Sequence, residues 1–185
     1  MQTLCLCELC EKKKGSVVTK DSGGEMAKEK FPATQAIRAL KESGVDFSLH
    51  FYKFEEKGGT TTAAKELNVD EHLVIKTLVM EADNSDPLLI LMHGNKKVST
   101  KAMARALGVK TVKPCEPVIA HKHTGYFVGG TSPFGTRKPL KVYVEASIME
   151  LPIIYINAGK KGLLAEMSPG DLKKILPLTP VSVAI

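Results

Sequence analysis

The sequence predicts an α+β fold, a mixed β-barrel or sheet flanked by helices. Three observations lead there. Apolar runs of strand length alternate with amphipathic helical segments from Met26 onward, with no linker or internal repeat. The strands are short and the helices fall between them irregularly, which argues against a doubly wound parallel sheet. The length of 185 residues suits one domain, large enough to bury roughly 70% of the surface its unfolded chain would expose.

Pro32 and Thr34 introduce a helix that carries Ala36, Ile37 and Leu40 on one face, and Gly44 ends it. Val45, Phe47, Leu49 and Phe51 alternate with Asp46, Ser48, His50 and Tyr52, the pattern of a half-buried strand. Thr60 to Thr62 are placed to cap a short helix through Leu67. Leu73 to Met80 reads as a strand buried on both faces, interrupted only by Lys76. Turn residues Asp83 to Pro87 separate it from a second apolar strand, Leu88 to Met92. Thr100 begins a helix that ends at Gly108, and Val118 to His121 forms a helical lead into a glycine-rich segment. Val142 to Val144 is a short strand, Glu145 to Glu150 a helical turn and Ile153 to Ile156 another strand. In Ser168-Pro169-Gly170-Asp171, Ser168 caps a helix, Pro169 occupies its first turn and Asp171 answers from the third position. Pro180 to Ile185 is expected to be a last strand.

The apolar (43%) and charged (25%) fractions are those of a globular chain and exclude disorder throughout. No apolar stretch is long enough to span a membrane. Net charge is +6, and residues 1–25 balance four lysines against four acids, so the surplus falls on the remainder. That suits an anionic partner such as RNA. Cys5, Cys7 and Cys10 do not belong to a secretory signal, because Glu8 breaks the apolar stretch and the basic cluster follows it. Reduced thiols and a cytoplasmic location are therefore expected. A zinc site lacks its remaining ligands there, and a redox CxxC lacks its strand and helix. Residues 1–25 are expected to be a disordered leader and 26–185 the single folded domain. Ser22-Gly23-Gly24-Glu25 can be encoded by purine-rich codons resembling a ribosome-binding sequence, which marks Met26 as the expected natural start.

Lys76 must either snorkel out of its apolar run or stand in a pocket that desolvates the ammonium and lowers its pKa. Taken alone, snorkelling is the simpler reading. The segment Thr124-Gly125-Tyr126-Phe127-Val128-Gly129-Gly130-Thr131-Ser132-Pro133-Phe134-Gly135 is able to face it. This segment is not a P-loop, since Thr136 stands where the lysine is required, and Phe134 rules out a nucleophile elbow. The kinase strand lysine is excluded because no HRD or DFG accompanies Val74-Ile75-Lys76. His121 and His123, with Cys115, offer no clear third metal ligand, so a polar loop is expected and no metal or cofactor. His50 and His72 have no evident partners. Gly129 and Gly130 would let a ligand approach the backbone and present N–H donors to a developing oxyanion, or they simply form a tight turn. Both readings stay open, and no good protein nucleophile is visible.

His50-Phe51-Tyr52, Val74-Ile75-Lys76-Thr77-Leu78, Thr124-Gly125-Tyr126 through Gly135 and Gly159-Lys160-Lys161-Gly162-Leu163 occur in an order and spacing that resembles the YbaK/EbsC family. Those proteins are relatives of the editing domain of bacterial prolyl-tRNA synthetases. The resemblance implies a mixed β-barrel with flanking helices and trans-editing of mischarged tRNA. In the YbaK branch it implies cysteinyl-tRNA(Pro) as substrate, with the substrate's own thiol attacking its ester. It makes Lys76 the principal functional residue, places Gly129 and Gly130 with it, and puts Tyr52, Thr77, Tyr126, Thr131 and Ser132 around the aminoacyl end. Some relatives carry an acidic residue where Leu164 stands, so no carboxylate role carries over at that position. Other branches act on other small aminoacyl groups such as alanine, with water as nucleophile, and a noncatalytic tRNA- or synthetase-binding module is the remaining alternative. Specificity for tRNA(Pro) would then come from a complex with prolyl-tRNA synthetase.

Overall fold

The computed structural model describes residues 32–56, 58–83 and 86–185, and the leader and start expected at 1–26 lie outside them. In chain order the elements are α1 (Gln35–Glu42), β1 (Phe47–Phe51), α2 (Gly59–Leu67), β2 (Val74–Ala82), β3 (Pro87–His93), α3 (Thr100–Leu107), β4 (Val112–Pro114), α4 (Pro117–Thr124), β5 (Lys141–Glu145), β6 (Ile154–Lys160), β7 (Leu163–Met167), α5 (Pro169–Ile175) and β8 (Leu178–Val181). Short 3-10 turns cover Glu71–Leu73 and Ala146–Glu150. The strands form one mixed sheet in the order β1-β7-β6-β2-β3-β5-β8, with β4 added to β2. β2 runs parallel to β6, β3 to β5 and β5 to β8, and the other pairs are antiparallel. This mixed sheet flanked by helices is the fold class that the sequence predicts, and among the described residues β1 and β8 stand at the two ends of the strand order.

β3 is the strand that is buried on both faces. Leu89 and Leu91 pack with Ala36, Ile37 and Leu40 of α1, Leu172 of α5 and Phe134, while Leu88, Ile90 and Met92 pack with Met103 and Ala104 of α3. Side chains alternate across a strand, so one apolar run can feed two cores only when helices cover both faces. Local signals set the helix ends. The Thr34 hydroxyl accepts from Ile37 N at 3.1 Å, the Ser99 hydroxyl accepts from Ala102 N at 3.3 Å, and Gly108 closes α3 at φ +68°.

Several expectations are corrected. Thr60 to Thr62 lie inside α2 instead of capping it, and Gly58 is the N-cap. Phe51 is exposed and Phe47 only half-buried, because β1 is the edge strand at its end of the sheet. Ser168 does cap α5, accepting from Gly170 N at 3.2 Å, but Asp171 pairs with Lys174 Nζ at 2.7 Å instead of closing a box. The last strand ends at Val181, and residues 183–185 turn back, with Ile185 and Val183 bonding Lys97 and Ser99. Both histidines left without partners have them. His50 Nε2 lies 2.6 Å from Glu166 Oε2, and His72 stacks on His93 at 3.6 Å. β4 and β7, which the pattern did not reveal, are a three-residue strand and the return arm of the Gly159–Leu163 turn.

Candidate active site

β2 has strand neighbours on one edge throughout and on the other only at its ends. β3 follows it from Ile75 to Glu81. On the opposite edge β6 pairs only at Val74 and Ile75, and β4 only from Met80 to Ala82. Among the described residues, positions 76–78 are therefore bare on that edge, Val79 keeps only its carbonyl bonded there, to Cys115 N at 3.0 Å, and a cavity of about 720 Å³ opens against them. Its lining includes Tyr52, Lys76, Thr77, Gly129, Thr131 and Asn157. This is why the middle of β2 is half-buried, against the expectation of burial on both faces.

Lys76 does not snorkel free. Its Nζ donates to the Gly94 carbonyl at 3.0 Å. Desolvation holds its pKa below the ordinary lysine value; the nearby Glu71 carboxylate partly opposes this and Lys97 reinforces it. Glu71 is itself held by the hydroxyls of Thr60 and Thr61, which donate to Oε1 at 2.7 and 2.9 Å. The threonines misread as caps thus orient the carboxylate that faces the lysine. Gly94 has no room for a side chain, since a Cβ there would fall 2.6 Å from the Glu71 carbonyl oxygen and 2.9 Å from Thr60 Cβ. Behind it His93 is clamped between the His72 carbonyl and the Ser147 hydroxyl, both at 2.8 Å, and burial lowers its pKa.

The glycine-rich loop contributes to the lining of the same cavity, and its residues divide in role. Gly129 lines the cavity at φ +85°, and among the described residues nothing accepts from its N–H. The Gly130 N–H already donates to the Phe127 carbonyl at 2.9 Å. Gly130 packs against the Lys160–Lys161 backbone, where an added Cβ would come within 3.1 Å of Lys161 N. Of the two predicted donors, only Gly129 is free to face a ligand. Tyr126 is buried and donates its hydroxyl to the Phe134 carbonyl at 2.6 Å, with burial pushing its pKa up to about 12. Ser132, fully buried, accepts from Phe134 N at 3.4 Å. These two brace the loop and do not line the cavity. Thr131 does, its hydroxyl 3.5 Å from the Phe127 carbonyl.

Tyr52 and Thr77 both reach the cavity. Burial raises the pKa of Tyr52, with a Gly162 backbone hydrogen bond opposing it. The Thr77 hydroxyl oxygen is buried with no hydrogen-bond partner among the described residues. Asn157 was missed from sequence. Its Nδ2 donates to the carbonyls of Gly129 and Lys160, each at 3.2 Å, and its Oδ1 accepts from Gly159 N at 2.7 Å. One side chain thus ties the two glycine loops together at the bulge in β6. The readable signal was a polar amide ending the apolar Ile153–Ile156 run just before Gly159. Among the described residues no group of three or more His, Cys, Asp or Glu side chains converges as a metal site would require, and no helix is long and apolar enough to cross a membrane.

The chain is similar to known proteins in sequence and in fold. A family model described as aminoacyl-tRNA editing domain matches residues 55–175. A protein of Enterococcus faecalis named as a candidate Cys-tRNA(Pro)/Cys-tRNA(Cys) deacylase, EbsC, is 29% identical over 156 residues, covering 83% of this chain and 93% of that one. A proline–tRNA ligase of Streptococcus equi subsp. zooepidemicus is 29% identical over 96 residues, 52% of this chain and 15% of the ligase. Among solved structures, one described as a candidate trans-editing enzyme for prolyl tRNA synthetase superposes with a TM-score of 0.74 at 19% identity. It covers 84% of this chain and 99% of that one, and shares the fold.

Proposed function

Because this chain belongs to the aminoacyl-tRNA editing domain family, in its YbaK/EbsC group, we propose that it is a trans-editing deacylase that removes cysteine from mischarged Cys-tRNA(Pro). The observation that carries the reading is a cavity with a desolvated cation, a free backbone donor and no activated protein nucleophile. No histidine lines it among the described residues. Its one thiol, Cys115, points Sγ at Glu81 Oε2 at 3.7 Å, and burial and that carboxylate raise its pKa, which keeps it protonated and inert. Of the lining threonines, Thr60 spends its hydroxyl on the Glu71 carboxylate, which also faces the Lys76 ammonium, and among the described residues Thr77 and Thr131 have no carboxylate or imidazole partner to activate them.

The reacting sulfur then belongs to the substrate. The cysteinyl thiolate attacks its own ester carbonyl, the bond from that carbon to the ribose oxygen breaks, and the ribose oxygen takes up a proton. Cysteine leaves as a thiolactone, which water opens. Groups already joined need only positioning and charge stabilisation. Lys76 supplies the positive charge, to the terminal phosphate, the ribose or the oxyanion, and the Gly129 N–H a fixed donor. Serine is spared because its hydroxyl is a far poorer nucleophile near neutral pH. The tRNA body is selected through association with prolyl-tRNA synthetase, and the net charge of +6 favours the RNA.

Leu164, buried in the cavity wall, favours a second reading in which a small apolar group such as alanine is removed by external water. Charged tRNAs decide between them. Release of cysteine from Cys-tRNA(Pro) with Ala-tRNA(Pro) intact is expected, and S-methylation of the charged cysteine should stop turnover. Cleavage of the S-methyl ester at an undiminished rate would defeat self-attack. Loss of neither ester would leave only a noncatalytic RNA- or synthetase-binding module.

A further inference from the structure

The bare edge of β2 has a fixed order of hydrogen-bonding groups. On the β3 side, Gly94 N donates to the Val74 carbonyl and Ala82 N to the Asp86 carbonyl. On the β4 side, Cys115 N donates to the Val79 carbonyl. Backbone polar groups of successive strand residues point to opposite edges. Even-numbered residues of β2 therefore bond towards β3, and Thr77 and Val79 direct theirs into the gap. With the Val79 carbonyl taken, the gap offers three groups: the N–H and C=O of Thr77 and the N–H of Val79. β6 has left by Ile75 and β4 has not arrived before Met80, so no strand among the described residues satisfies them. Buried backbone groups are almost always paired, and a stretch left bare in the wall of a cavity marks a place where a ligand supplies the partner. The partnerless Thr77 hydroxyl stands at the same point.

We infer that this edge reads the adenine of the RNA's terminal adenosine, the Thr77 carbonyl accepting from the base's N6 amino group and the Val79 N–H donating to its N1. Adenine presents a donor beside an acceptor on that edge, the complement of an acceptor followed by a donor along a strand. A planar base also needs apolar walls, which Leu78, Pro114, Pro117, Ala120 and Val128 provide in the cavity lining. The cation of Lys76 leaves the same strand one residue earlier, where the sugar-phosphate side of such a nucleotide would need it. The identity of the occupant rests on the proposed deacylase function; the order of donors and acceptors does not. It assigns base recognition to main chain that no side-chain comparison would reveal.

The test replaces the base. Microhelix RNAs ending in adenosine, 7-deazaadenosine, 1-deazaadenosine or inosine are charged with cysteine and their deacylation is compared. In parallel, AMP and IMP are titrated into 15N-labelled protein. Removing N1, or reversing both groups as inosine does, should lower kcat/KM on the order of tenfold to a hundredfold. The 7-deaza base, which keeps N1 and N6, should react normally. AMP should shift the Thr77 and Val79 amide resonances and IMP should not. Equal deacylation of adenosine- and inosine-ended RNA, with those amides unmoved by AMP, would overturn the inference and leave the deacylase reading standing. Shifts on AMP alone with every ester left intact would support it and sink the deacylase reading instead.

Discussion

Lys76 and Gly94 hold each other in place: the ammonium donates to the glycine carbonyl at 3.0 Å, and the glycine N–H donates to the Val74 carbonyl at 2.7 Å. The functional cation is therefore anchored to the end of the neighbouring strand, and its position depends on how closely that strand approaches Glu71.

Gly94→Ala should show this dependence. The new methyl would meet main chain at 2.6 Å, which cannot yield as a flexible side chain would. A loss of about 1–3 kcal/mol in stability is expected, as for overpacked sites. Deacylation at a temperature where the variant is still folded should fall as well, because Lys76 loses its anchor. Denaturant unfolding and single-turnover deacylation check the two effects; a stable and fully active variant would show that the close approach is unimportant.

Titration of Lys76 should move binding and stability in opposite directions. Desolvation lowers its pKa below 10.5 in the folded state. Between the lowered folded value and the unfolded one, the unfolded chain binds the proton more tightly, so this group's contribution to stability rises with pH. Over the same interval the cation disappears, so affinity for a nonhydrolysable 3′-amide analogue of the charged RNA should fall. Comparison with Lys76→Arg, which stays charged, isolates the effect. An affinity loss at the same pH in both proteins would assign it to another group.

Asn157→Ala removes two donors to carbonyls and one acceptor from a nearly buried site. Leaving such groups unpaired costs about 1–3 kcal/mol. Because Gly129 is one of the partners, the loop should loosen and kcat should fall more than KM rises. Asn157→Asp keeps the acceptor for Gly159 N but loses both donations, so it should not rescue. Hydrogen exchange at Gly129 and Gly159 reports the loosening directly.

Much of the fold could be read locally. Helix ends at Thr34, Gly44, Gly108 and Ser168 follow from capping chemistry within a few residues, and the uninterrupted run at Leu88–Met92 marked the strand between two cores. Lys76 was legible because a cation in an apolar strand is conspicuous. Gly129 and Gly130 look alike in sequence yet differ in the fold, since only contacts with Phe127 and Lys161 decide which N–H stays free. Gly94, Asn157 and the pairing of Glu71 with Thr60 and Thr61 depend on chain approaches between distant segments, to which local pattern is blind. The gap along β2 is less visible still, being a matter of where two other strands stop.

The most direct measurement is cysteine release from Cys-tRNA(Pro) by wild-type protein and by Lys76→Ala, under single-turnover conditions and with unfolding curves for both. Among the described residues the Lys76 ammonium makes one hydrogen bond, and it is partly desolvated, so the variant should fold as well as the wild type while cleavage drops at least about a hundredfold, as for loss of a principal charge-stabilising group. Deacylation at the wild-type rate by a folded Lys76→Ala protein would contradict the account.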